Sequence, residues 1–170
     1  PTEYAYKSKS EGGIWEEGDL RRDESIRYDF TYLGITPTEV SWGADELDPH
    51  IKKYEDERTD QFNGNLANEW YSGKNFIVLR YADVLLCYAE CLNELGETGQ
   101  ANTIVNQVRA RAWGGTLPNE MAWNYGQDEF RTQIMNERIR ELCFEGWRRM
   151  DLIRTGKFVE LIKERNSWAK

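Results

Sequence analysis

The chain has 170 residues, a net charge of −8 and a mean hydropathy of −0.78. That length fits one domain, and no window approaches the ~18 uninterrupted apolar residues that a membrane-spanning helix needs. The acidic balance argues against a nucleic-acid partner or an anionic membrane surface, because phosphate binding demands a basic face; neutral and cationic ligands stay open.

Residues 1–13 carry no apolar signal region, so the chain reads as a mature or excised piece. Residues 1–73 are loop-rich, broken by Gly12, Gly13, Gly18, Gly34, Gly43, Gly64 and Gly73 and by Pro37 and Pro49. One strand signal stands out: Ile26, Tyr28, Phe30 and Tyr32 alternate with Arg27, Asp29 and Thr31. The acidic stretches Asp45, Glu46, Asp48 and Asp56, Glu57, Asp60 read as exposed turns. Neither matches an ordered calcium-loop signature, so no metal is assigned. A stretch this long without strong periodicity usually has a task. The seven tryptophans and nine tyrosines are a heavy load, and many fall in this irregular part.

From Phe76 the pattern turns helical. Phe76, Leu79, Val84, Tyr88, Leu92 and Leu95 recur at helical spacing and Gly96 stops the run. A second helix is expected over about 100–112, with Ala101, Ile104, Val105 and Val108 inward. The short turn between the two makes an antiparallel hairpin. Gly96, Ala101, Val105 and Val108 match the second half of a tetratricopeptide-type unit, in which a small alanine lets the helices approach. Cys87, Cys91 and Cys143 make no disulfide framework. Cys87 and Cys91, four apart, lack further ligands to complete a tetrahedral site, and the single histidine, His50, stands alone. All three cysteines are expected as small buried hydrophobes. After a loop over 114–127 with Trp123 and Tyr125, Asp128 is placed to cap a helix running through Glu145, with Phe130, Ile134 and Leu142 inward. A last helix over about 157–168 carries Phe158, Leu161 and Ile162.

The stretch 137–156, ERIRELCFEGWRRMDLIRTG, organises the rest. Glu137, Glu141 and Glu145 lie four apart and so share one helical face, which ends at the helix stop Gly146. The ridge either faces Arg148 and Arg149 of the next segment in a charge-paired corner, or is a solvated face with i,i+4 ion pairs contributing ~0.3 kcal/mol each.

Three runs together, NFIVLRYADVLLCYAECLNELGE (75–97), ANTIVNQVRARA (101–112) and 137–156, resemble the C-terminal part of SusD/RagB-type nutrient-binding lipoproteins of the Bacteroidetes outer membrane. GDLRRD (18–23) followed by Lys53 and Tyr54 is similar to a weaker preceding motif of that family. The resemblance covers about residues 18–160 and implies a mainly α, tetratricopeptide-like fold with little β. It further implies that 1–170 is a single domain within a longer protein, with 1–73 facing ligand and 74–170 forming a helical scaffold. The lipid anchor expected of the family is not part of these residues. The family implies non-catalytic binding of oligosaccharide or polysaccharide at the outer-membrane surface, for polysaccharide utilization, and delivery to a SusC-like TonB-dependent transporter. No cofactor is implied. Arg80, Glu90, Glu137, Arg138, Glu141, Glu145, Gly146, Arg148 and Asp151 match motif positions that act as scaffold rather than ligand contacts. The resemblance therefore favours the charge-paired corner, since buried charges are usually paired.

Sugar recognition sets flat aromatic faces against the C–H side of a pyranose, with amides, carboxylates and guanidinium groups on its hydroxyls. Trp15, Trp42, Trp70 and Tyr71 lie in loop-rich sequence and are the candidates for that platform, against the alternative that each is a core residue holding the irregular part down. Trp113, Trp123 and Tyr125, next to helix ends, are weaker candidates, and Trp147 is expected in the core. A glycosidase would need two carboxylates about 5–10 Å apart across a cleft. The ridge glutamates have adjacent arginines instead, and no Ser-His pair or phosphate loop is present, so no enzymatic activity is expected. The competing reading is a helical protein–protein interaction scaffold without sugar binding, which would have no use for the aromatic loops.

Overall fold

The computed structural model describes residues 3–28, 49–55 and 74–166 of the chain, with side chains to residue 164. The first part is irregular, as its glycines and prolines dictate: α1 (Glu3–Tyr6), a 3-10 turn (Lys9–Glu11) and α2 (Arg21–Ser25). The strand signal survives only in part. β1 (Ile26–Arg27) pairs antiparallel with β2 (His50–Ile51), Ile26 opposite Ile51, while Phe30 and Tyr32 lie outside the described residues.

Residues 74–80 are not helical, and α3 begins only at Tyr81 (Tyr81–Glu94). Gly96, in the left-handed region at φ 86°, turns the chain. Its N–H donates to the Asn93 carbonyl and that of Glu97 to the Leu92 carbonyl, satisfying the last carbonyls of α3. α4 (Thr98–Ala112) then packs back along α3 as the expected hairpin. α5 (Gln127–Glu141) crosses this pair, followed by α6 (Trp147–Arg154) and α7 (Phe158–Asn166). The chain is mainly α, in keeping with its tetratricopeptide-like pattern.

The core joins Ala82, Leu86, Ala89 and Leu92 of α3 to Ala101, Val105 and Val108 of α4 and to Phe130, Ile134 and Met135 of α5. The inner face of α3 is not the row of large residues that marks the helix in the sequence. Phe76, Leu79, Val84, Tyr88 and Leu95 are exposed, and the buried side is the alanine-rich one. Alanines permit the close approach of α4 that large residues would block. Apolar residues surround α3 almost completely, so periodicity alone did not say which side met α4. Cys143 is buried as expected, but Cys87 and Cys91 are exposed because they sit toward that outer side.

The segment before α5 is strapped to the hairpin by three amide side chains. Asn106 and Asn102 of α4 each exchange a pair of hydrogen bonds with backbone, at Trp123 and Tyr125 respectively. Asn93 donates to the Gln127 carbonyl, whose side chain donates back to the Asn93 carbonyl. Each amide acts like one rung of a β ladder between a helix and an extended strap. The strap thereby seats Trp123 on Phe130, rings 5.6 Å apart and edge-on, with Tyr125 alongside. Trp123 and Tyr125 are thus packing residues here.

Asn102→Leu keeps the shape but leaves the Tyr125 N–H and carbonyl without this partner. We expect a loss of about 1–3 kcal/mol, read as a lowered urea midpoint at unchanged far-ultraviolet circular dichroism.

Candidate functional site

Glu137 and Glu141 lie one turn apart on α5, both buried. α5 ends at Glu141, not at Glu145 as the sequence suggested. A tight turn follows through Phe144 (φ 63°) and Gly146 (φ 84°), both in the left-handed region. It keeps Glu145 buried beside the first two glutamates and sends α6 away from them.

The ridge is a charge-paired corner, but its partners are not those of the next segment. Glu137 accepts from Arg21 Nη1 at 2.7 Å, Arg109 Nη1 at 2.9 Å and Arg140 Nη2 at 2.6 Å. Glu141 accepts from Arg21 at 2.9 Å, from Arg80 at 2.5 Å and from Arg111. Glu145 accepts from Lys53 Nζ at 2.5 Å and Arg80 Nε at 2.8 Å. Asp19 grips Arg21 at 2.6 Å, and Glu16 meets Arg109 at 2.6 Å. Arg148 instead donates to the Met135 carbonyl at 3.5 Å, and exposed Arg149 lies over the Phe158 ring. A second cluster sits beside the first. Arg138 bridges Asp83 and Asp151, each at 2.8 Å, and Arg154 joins Asp151 to Glu90.

Burial would raise the Glu137 carboxyl, but Arg21, Arg140 and Arg109 overcome it and hold Glu137 well below the usual carboxylate range. Glu141 is lowered likewise, against burial, by Arg21 and Arg80. These shifts run opposite to what a general acid requires. The chemistry of the ridge is anchorage: Arg21 at the start of α2, Lys53, and Arg80 just before α3 are each tied to α5 or to the turn after it through a buried carboxylate.

Trp15, expected on a sugar platform, is sealed instead. It is 1% exposed, packs with Ile14, Ile26 and Cys143, and donates its indole N–H to the Ala5 carbonyl at 2.6 Å. No ring face is left to offer a ligand, because this large aromatic is the main filler of the small second core. Trp42, Trp70 and Tyr71 lie outside the described residues. Trp113 lies against the Arg109 guanidinium, 4.9 Å from ring centre to Cζ, and Trp147 is half-buried.

One polar-aromatic edge escaped the sequence reading. Tyr6 and Tyr28 meet edge-on at 5.5 Å, with the Arg22 guanidinium over both rings. The Tyr28 hydroxyl donates to Asp23 Oδ1 at 3.0 Å. The alternation around Tyr28 was visible in the sequence, but only folding brings Tyr6 to it. A cavity of about 390 Å³ opens between α1, α5, α6 and α7. Ile139, Leu142, Phe144, Leu152 and Ile162 make its wall mostly apolar, which suits hydroxyl-rich ligands poorly. Burial pushes the Cys143 thiol at its edge up to about 12, leaving it unreactive. Among the described residues no group of three or more His, Cys, Asp or Glu could hold a metal, and no helix is long and apolar enough to cross a membrane.

Comparison with known proteins supplies the context. The profile of the SusD family matches residues 2–168. SusD-like protein P38 of Formosa agariphila is 40% identical over 155 residues, which is 88% of this chain and 28% of that protein. SusD-like protein P2 of the same organism is 41% identical over 110 residues, 62% of this chain and 21% of that protein. A crystal structure of a SusD homolog from Bacteroides thetaiotaomicron superposes with a TM-score of 0.59 at 28% identity, over 86% of this chain and 32% of that one. The chain thus spans between a fifth and a third of the length of these relatives.

The ridge makes stability acid-sensitive in a defined direction. Glu137 and Glu141 titrate below their ordinary value of 4.5 when folded, so the unfolded chain binds more protons in acid. Their contribution is complete at neutral pH and drains away as pH falls through about 4.5 toward the folded values. Urea midpoints should therefore drop below about pH 5. Glu137→Gln should remove about 3–5 kcal/mol at pH 7 and flatten that drop; an unchanged acid profile would take the ridge out of the account.

Proposed function

The chain belongs to the SusD family, and from that premise we propose that it is the rigid helical part of a non-catalytic glycan-binding protein at the cell surface. Such a protein takes up oligosaccharide or polysaccharide at the outer membrane and passes it to a SusC-like TonB-dependent transporter, a lipid anchor elsewhere in the polypeptide keeping it in place. Residues 74–170 act as the mount and the loop-rich 1–73 as the ligand-facing part of a single domain.

The observation that carries this reading is the direction of the buried ion pairs. Arg21 at the head of α2, Lys53, and Arg80 just before α3 reach Glu137, Glu141 and Glu145, so the short elements and loops that precede α3 are tied to α5 and the turn after it. A binding surface built from loops needs that support, because affinity is lost when the groups that touch ligand must first be ordered. Trp42, Trp70 and Tyr71 remain the proposed stacking residues. The edge formed by Tyr6, Tyr28, Arg22 and Asp23 has the ring, guanidinium and carboxylate chemistry to join them. Trp15 is left out, being core.

The test uses the full-length protein, a panel of oligosaccharides, intrinsic tryptophan fluorescence and product analysis. Saturable quenching with the glycan recovered intact is the expected result. Cleaved product, or no response across a broad panel, would overturn it. Among single alanine variants, at least one of Trp42, Trp70 and Tyr71 should lose ~10-fold or more in affinity, about 1.4 kcal/mol, at unchanged melting temperature. Trp15→Ala should behave otherwise, removing about 3–5 kcal/mol of stability.

A further inference from the structure

Residues 49–55 are tied to the rest of the molecule more firmly than their short strand suggests. β2 pairs with β1, Ile51 opposite Ile26 and His50 opposite Arg27. The Lys52 N–H continues that ladder by donating to the Ser25 carbonyl at 2.9 Å. From there four consecutive side chains go to four different parts of the fold. Lys52 Nζ donates to the Asp23 carbonyl of α2 at 2.7 Å. Lys53 Nζ donates to the Cys143 carbonyl at 2.9 Å and to Glu145 at 2.5 Å, in the turn after α5. The Tyr54 ring stacks on Phe76, ahead of α3, with centres 5.5 Å apart and planes 12° from parallel. Glu55 accepts a fork from Arg27 of β1, Nε at 2.8 Å and Nη2 at 2.6 Å.

Lys53 is not required to neutralise Glu145. Arg80 Nε already reaches both oxygens of that carboxylate, at 3.0 and 2.8 Å. Without Lys53 the buried Glu145 keeps a charged partner, whereas residues 49–55 lose their tie to the turn after α5. The ammonium therefore serves the segment that carries it more than the glutamate that it meets.

The place of this segment in the chain gives those ties a consequence. β1 and β2 are antiparallel neighbours, so residues 29–48 begin and end side by side. The Tyr54 and Phe76 stack likewise brings together the two ends of residues 56–73. Both stretches thus have a foot on residues 49–55.

We infer that residues 49–55 are a clasp that sets the position of one stretch relative to the other, and that Lys53 and Glu55 are positioning residues for ligand binding. The inference rests on the proposed glycan reading, in which Trp42 belongs to one stretch and Trp70 and Tyr71 to the other. Rings from two stretches grip one oligosaccharide only at a fixed spacing, and a spacing held before the sugar arrives removes an ordering penalty from binding. The clasp itself touches no sugar.

The test uses the full-length protein and two readouts. One is deuterium exchange of the 49–55 amides without ligand. The other is titration with the panel oligosaccharide that quenches wild-type tryptophan fluorescence most strongly. Lys53→Met keeps the aliphatic stem and removes both hydrogen bonds of the ammonium. It should speed exchange of the Lys52 amide ~10-fold or more and raise the Kd ~10-fold or more. Its melting temperature should stay within about 3 °C of wild type. Lys53→Arg keeps a charged donor and should remain within ~3-fold of wild type in both readouts. Wild-type affinity in Lys53→Met despite faster exchange would overturn the positioning role, and unchanged exchange would overturn the clasp. If Lys53→Met melts earlier than that, Glu55→Gln, which leaves the buried ridge untouched, decides by the same two readouts. A wild-type protein that binds no oligosaccharide of the panel overturns the proposed function, while the exchange readout still decides whether the clasp exists.

Discussion

Three carboxylates in a row on and just beyond α5, each buried and each facing more than one cation, are the constraint to which the other described parts conform. Placing Glu137 and Glu141 in the interior is unfavourable by several kcal/mol per ion unless partners come with them. Those partners arrive from α2, from residue 53, from the start of α3 and from α4. The irregular part therefore cannot settle in another position without stranding a buried charge. Well-packed apolar residues in the same places could give equal stability. A charge network adds selectivity, because one register satisfies all its members at once.

The same economy of polar groups holds the strap before α5. Asn93, Asn102 and Asn106 supply the hydrogen bonds that a neighbouring strand would otherwise give, and so let an extended segment lie on a helical hairpin. Arg109 ties the two systems together. It donates to the Met121 carbonyl on the strap and to Glu137 on the ridge, while its guanidinium lies between Trp113 and Trp123. Residues that resemble polar surface in the sequence are thus interior joints.

In the proposed reading, rigidity and recognition are separated along the chain. The helices bury a shared apolar core and pair most of their ionisable groups, which leaves little polar chemistry on them to read a neutral, hydroxyl-rich ligand. Trp15 marks the boundary: it comes from loop-rich sequence, yet it is the anchor of the small core formed with Ile14, Ile26 and Cys143. Trp42, Trp70 and Tyr71 lie outside the described residues, and the proposed recognition falls to them. The outer face of α3 stays apolar and exposed.

Much of this was legible in the amino-acid order. Helix positions, the Gly96 turn, the inward Ala101, Val105 and Val108, and the single row of Glu137, Glu141 and Glu145 follow from periodicity and turn chemistry, which are local properties. The family resemblance came from the same three runs. What the sequence could not settle were questions of partnership between distant segments. The sequence sets Arg138, Arg140, Arg148 and Arg149 around the ridge; of these the fold pairs Arg140 with Glu137, and it brings Arg21, Lys53, Arg80, Arg109 and Arg111 from elsewhere. Periodicity along α3 shows an apolar stripe but not which side packs, and in the fold the small-residue face packs while most of the large residues stay open. Trp15 was given to ligand because loops carry ligands, and the fold made it core. Spacing along a chain fixes which side chains share a face, but which face meets which depends on contacts between residues far apart in sequence, and those exist only once the chain has folded.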